Sequence, residues 1–123
     1  MMVIDSLFVV KDFQGEAGEV KACLELNAAH PIFDGHFPGQ PVVPGVCMMQ
    51  LMKELTERHL GKKLILSEAD NMKFLSVLDP GANKVVQAAI TVKADVTGIA
   101  INASLFADTV TFFKLKAVLN PSI

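Results

Sequence analysis

Between Asp34 and Val46 the chain reads GHFPGQPVVPG, setting one histidine, His36, among three prolines (Pro38, Pro41, Pro44) and three glycines (Gly35, Gly39, Gly45). Each proline fixes its own φ and biases the preceding residue away from helix. Each glycine permits a backbone shape or a close approach that a β-carbon would block. Such a loop is stiff, and it presents a single side chain that titrates near neutrality. A helical pattern starts at once behind it, at Pro44-Gly45. A helix start carries N–H groups with no partner inside the helix and the positive end of its dipole. A base held by a rigid loop, beside N–H donors for an oxyanion, suggests a site.

The helix adds further polar groups. Gln50, Glu54 and Glu57 fall within about 40° of one line on an ideal helix, with Gln50 and Glu54 one turn of about 5.4 Å apart. The residues alone leave Glu54 and Glu57 as a solvated helix face and Gln50 as a hydrogen-bonded amide. His30 precedes Pro31 and is expected to cap or pack the loop. His30 and His36 make no metal site, because no third ligand lies at a sensible spacing. No cofactor motif is present. Cys47 and the methionines at 48, 49 and 52 are expected to be packing, where flexible thioether side chains fill irregular space.

These residues need elements to hold them. Asp5 to Phe13 reads as a first strand, Gln14 to Gly18 as a turn, and Val20, Ala22, Leu24 and Leu26 as the inner face of a second strand. From Val46 to Leu60 apolar residues recur at Met48, Leu51, Met52 and Leu55, and Gly61 is a fitting stop. The first turns are apolar nearly all round, so that end is expected to be buried. Strand-like segments run from Leu64 to Leu78, broken at Asp79-Pro80-Gly81. Val86 to Val96 alternates strictly, Thr97-Gly98 reads as a tight turn, and Ile99 to Leu105 alternates again. Ala107-Asp108-Thr109 turns the chain into a last strand, Val110 to Leu119. Long consecutive strands with short turns imply an antiparallel sheet, with the one helix against a face of it.

Length and composition set the bounds. At 123 residues the chain is expected to form a single domain over 1–123. Apolar residues make up 51% of it, a surplus that points to a buried subunit interface. No run approaches the length of a membrane span. The N-terminus lacks the basic and cleavage-site pattern of an export signal, and two cysteines make no disulfide framework, so a cytoplasmic protein with reduced thiols is expected. A net charge of −2 with no basic block, and the absence of Trp and Tyr, argue against nucleic acid.

GHFPGQPVVPGV closely resembles the signature of the 3-hydroxyacyl-acyl-carrier-protein dehydratases, in which a GHFPGxPxxPGV run leads into the central helix. The resemblance implies a hotdog fold, an α+β architecture in which an antiparallel sheet wraps one long helix. It implies that His36 is the catalytic base and that Phe37 lines the substrate site. The N–H groups of Gly45 and Val46 would then hold the thioester carbonyl. The family's second catalytic group is a carboxylate five residues after that glycine, where this chain has Gln50. Many members carry a glutamine four residues further on, where this chain has Glu54. The resemblance therefore implies catalytic positions at His36, Gln50 and Glu54. It also implies an acyl carrier protein or other pantetheine thioester carrier as partner, and a homodimer or dimer-based hexamer whose sites draw on both subunits.

Three functions stand open on this reading. One is elimination of water from a 3-hydroxyacyl thioester to give a trans-2-enoyl thioester. The second is thioester hydrolysis on the same fold, with Glu54 activating water. The third is a non-catalytic acyl-binding subunit in which Gln50 marks a lost acid.

Overall fold

The computed structural model describes residues 2–34, 42–96 and 98–122. Six strands form one sheet: β1 (Phe8–Glu16), β2 (Glu19–Leu26), β3 (Leu64–Phe74), β4 (Val85–Asp95), β5 (Gly98–Ala107) and β6 (Val110–Pro121). Their order across the sheet is β1-β2-β4-β5-β6-β3, with every neighbouring pair antiparallel. One helix, α1 (Gly45–Leu60), lies against it. A 3-10 turn, Pro31–Phe33, precedes α1 in the chain.

The alternation expected from sequence appears as a sheet with one dry face. Val20, Ala22, Leu24 and Leu26 of β2 are buried with Val86, Ala88 and Ile90 of β4. Ile99, Ile101, Ala103 and Leu105 of β5 join Leu115, Ala117 and Leu119 of β6. Cys47, Met48, Leu51, Met52 and Leu55 of α1 close the core from the other side. Phe112 and Phe113 are consecutive yet both buried. The β5–β6 register shifts between Leu105 and Phe106, and this bulge turns both rings inward.

Both ends of α1 are defined by chemistry. Pro44 is the N-cap and makes no side-chain cap hydrogen bond. At the other end Gly61 adopts the left-handed conformation, φ 70°, and its N–H donates to the Glu57 carbonyl at 2.8 Å. The last turn is pinned to β1: the Arg58 guanidinium lies 5.7 Å from the centre of the Phe13 ring. The His59 ring fills the space a β-carbon on Gly15 would take, which explains a glycine inside a strand.

Several expected boundaries shift. The first strand starts at Phe8, not Asp5, because Asp5 takes a positive φ of 68° and the chain turns there. Its N–H donates to Phe8 O at 2.7 Å, and Leu7 and Phe8 both donate to Val3 O. The expected turn at Gln14–Gly18 narrows to Ala17-Gly18, since β1 continues to Glu16 opposite Glu19. The strand from Leu64 ends at Phe74, and Leu75 and Ser76 instead donate to Phe112 O. Asp95 pairs with Gly98, so Gly98 opens β5 and does not sit in the turn; Thr97 lies outside the described residues. The start of α1 is not dry all round: Val46 is 57% exposed.

Leu51 is fully buried and Val96 fully exposed. Leu51→Ala is expected to lower unfolding free energy by about 2–5 kcal/mol. Val96→Ala should change it by less than about 0.5 kcal/mol. Urea denaturation of both variants checks the contrast.

Candidate active site

The two elements that would form the site meet at the start of α1. Val43 N–H donates to Leu78 O at 2.9 Å, which ties the approach to the helix to the chain following β3. A cleft lies here, lined by Val43, Gly45, Met48, Phe74, Val77 and Leu78. The Phe74 ring presses on Gly45, where a β-carbon would overlap it. Phe74 also stacks on Phe113, ring centres 5.3 Å apart. Sequence reasoning missed Phe74. It is 29 positions from Gly45 in a strand at the sheet edge, and nothing local in the sequence joins the two.

Cys47 and Met48 N–H groups both donate to Pro44 O, at 3.0 and 3.3 Å. No described residue accepts from the N–H of Gly45 or Val46. These two donors are therefore open at the helix start, where Gly45 lines the cleft. His36 and Phe37 lie outside the described residues. His30 is described: its Nδ1 accepts the Ile32 N–H at 2.9 Å and caps the 3-10 turn, as expected.

Gln50 and Glu54 are brought together. Gln50 Nε2 donates to Glu54 Oε2 at 2.9 Å. Glu54 is not on a solvated face; it is 5% exposed. Its Oε1 accepts from Val3 N at 3.1 Å and Ile4 N at 2.9 Å, and its Oε2 accepts from Val3 N at 2.8 Å. The carboxylate is thus buried among N–H donors from a segment 50 residues away, which residue spacing gives no means of anticipating. Glu57 is separate from this group. It pairs with Lys53 at 3.3 Å and accepts the Leu64 N–H at 2.8 Å. Among the described residues no three His, Cys, Asp or Glu side chains gather as a metal site. No helix among them is long and apolar enough to cross a membrane.

The architecture is a hotdog fold, shared with solved structures. One is the dehydratase heterocomplex ApeI:P from Xenorhabdus doucetiae, superposing with a TM-score of 0.78 at 23% identity over 92% of this chain and 97% of that one. Residues 12–107 match the model of the ApeI-like family, described as ApeI dehydratase, and the chain belongs to that family. It is also similar to the 3-hydroxyacyl-[acyl-carrier-protein] dehydratases FabZ of Lactobacillus helveticus and Rickettsia felis. The first is 34% identical over 83 residues, which is 61% of this chain and 56% of that protein. The second is 33% identical over 79 residues, 58% of this chain and 54% of that protein. The matched segment spans about half the length of these curated relatives.

Burial pushes the Cys47 thiol up from its ordinary value, so it stays protonated and a poor nucleophile despite the helix start nearby. Iodoacetamide at pH 8 is expected to label half-buried Cys23 well before Cys47. Peptide mapping after brief labelling reads the order, and faster labelling of Cys47 would contradict this placement.

Proposed function

We propose that this chain is a dehydratase of 3-hydroxyacyl thioesters carried on acyl carrier protein or a similar pantetheine carrier. The observation that carries the reading is the start of α1. There the Gly45 and Val46 N–H groups lie uncapped by any side chain, Gly45 lines a largely apolar cleft, and His36 stands nine residues earlier in the sequence. Membership of a dehydratase family supports it.

In this reading the thioester oxygen accepts from the helix-start N–H groups, which stabilise the enolate as it forms. His36 takes the proton from the carbon next to the carbonyl. The C–O bond to the hydroxyl then breaks, and protonated His36 returns its proton to the departing oxygen, so water leaves and a trans-2-enoyl thioester remains. Gln50 occupies the place of the family's carboxylate. An amide is no proton donor of useful acidity at pH 7, which is why both transfers fall to His36. The cleft's hydrocarbon walls, Val43, Met48 and Val77 among them, suit an acyl chain.

The same reading includes a homodimer. β3 is an outer strand of the sheet, so one row of its backbone groups lacks a strand partner among the described residues. Ile65, Met72 and Phe74 on it, and Leu75 and Val77 just beyond, are exposed. A second copy laid along this edge would cover them beside the cleft.

Incubation with a 3-hydroxyacyl-pantetheine thioester is expected to give the enoyl thioester, read by its ultraviolet absorbance, and His36→Ala should reduce turnover at least 10²-fold, about the contribution of one acid–base group. Release of free acid would favour hydrolysis, and neither product a binding subunit. Light scattering should give at least twice the 13.3 kDa chain mass. Ile65→Lys should shift the protein toward monomer, and a monomeric parent would sink the dimer.

A further inference from the structure

The solvent side of the sheet carries an unbalanced charge. Phe113, Leu115 and Ala117 of β6 are buried, so Lys114 and Lys116 between them point outward. Register sets Lys73 of β3 directly opposite Lys114, and Asn71 opposite Lys116. On the other flank of β6, Ser104 and Asn102 of β5 stand opposite the same two lysines. All three lysines are exposed. Together with Asn71 and Asn102 they line an open cleft of about 200 Å3 on this face.

No carboxylate balances them. Among the described residues no Asp or Glu lies within ion-pair distance of Lys73, Lys114 or Lys116. The residues outside the described ones include no Asp or Glu either. Like charges directly opposite on neighbouring strands are destabilising. The amides and the hydroxyl on either side show that neutral polar residues fit this face. A lysine protects an edge strand from unwanted pairing, which accounts for Lys73. It does not account for Lys114 and Lys116, because β6 has a strand on both sides.

We infer that this lysine cluster is a docking surface for an acidic helix on a separate protein. The spacing fits a helix. Cross-strand neighbours stand about 4.5–5.5 Å apart, and neighbours two residues apart on one strand about 6.8 Å. Carboxylates at i, i+4 and i+7 of a helix recur every 5–6 Å or so, roughly the same interval. The small extent of the cluster favours a protein over a polyanion. A net charge of −2 repels a long nucleic acid or an anionic membrane that extends past the lysines. A compact acidic face is governed by the lysines alone, since screening at physiological salt sets in over about 8 Å. No aromatic ring lines the cleft for a base to stack on. The cluster is on the side of the sheet turned away from α1, so docking here is independent of the chemistry at Gly45.

Fluorescence anisotropy with the full chain tests this. The probe is a lactam-stapled helical peptide with glutamates at i, i+4 and i+7, compared with an isomer whose glutamates are spread round the helix. At about 20 mM salt the one-faced peptide should bind at least about fivefold tighter than the isomer, and should lose about tenfold by about 150 mM. Combining Lys73→Gln, Lys114→Gln and Lys116→Gln should weaken its binding about tenfold, whereas Lys11→Gln with Lys21→Gln, on β1 and β2, should change it less than about twofold. No binding, equal binding of the two peptides, or equal loss in the two variants would overturn the docking surface. Tighter binding to phosphatidylglycerol vesicles or to single-stranded DNA would overturn the acidic helix as its partner.

The triple variant also reports on the free protein. Removing the three charges relieves their repulsion, so the urea midpoint should stay the same or rise. A lower midpoint would make the lysines supports of the fold and overturn the inference.

Discussion

A carboxylate carried into a protein core must be met by donors, and the placement of Glu54 imposes this on the rest of the chain. Removing an ionised group from water costs several kcal/mol unless hydrogen bonds replace the lost hydration. One supplier here is a side chain a single turn back on the helix. The others are two consecutive backbone N–H groups at the N-terminal end of the described chain. Recruiting them forces the chain to fold back at Asp5, and Val3, Ile4 and Leu7 are buried as a result. An apparent extension of the first strand thus becomes a plug over the helix. The same requirement orders the polar stripe of α1, separating Glu54 from Glu57, which is turned toward Lys53 and the start of β3.

The sheet supplies what the helix cannot. Alternating apolar residues on β2, β4, β5 and β6 make one dry surface, and α1 covers it with its own apolar stripe. Irregularities fall where regular pairing would misdirect a side chain. The bulge at Phe112 sends two rings inward, and register shifts at Leu66/Glu68 and Ala69/Asn71 bend β3 along the edge. That bend ends at Phe74, the residue that meets Gly45. Helix start and sheet edge are therefore joined by van der Waals contact, and by the bond from Val43 to Leu78 beyond the strand.

Period-two and helical spacing made the strands and α1 readable from the sequence, because each pattern reports a dry face directly. The helix start was readable through the proline and glycine that open it. Contacts of long sequence separation were not. Glu54 follows the spacing of a solvated face, and only the arrival of Val3 and Ile4 makes it a buried group. Val46 has the composition of a core residue but points away from the sheet. Asp5 lies in a segment of strand-like residues, yet a left-handed backbone, which aspartate tolerates better than most residues, redirects the chain. Phe74 could be placed on a strand from sequence, but its partner could not.

The contact between Phe74 and Gly45 has an electrostatic side. A ring of carbon atoms against the first turn of a helix takes the place of water molecules that would otherwise solvate the peptide dipoles. Those dipoles then act through a medium of lower polarizability, where each exposed N–H attracts a negative oxygen more strongly. The glycine admits the ring, and the ring has no polar atom of its own. The strength of the field at the helix start is thus set in part by a hydrocarbon on a different strand.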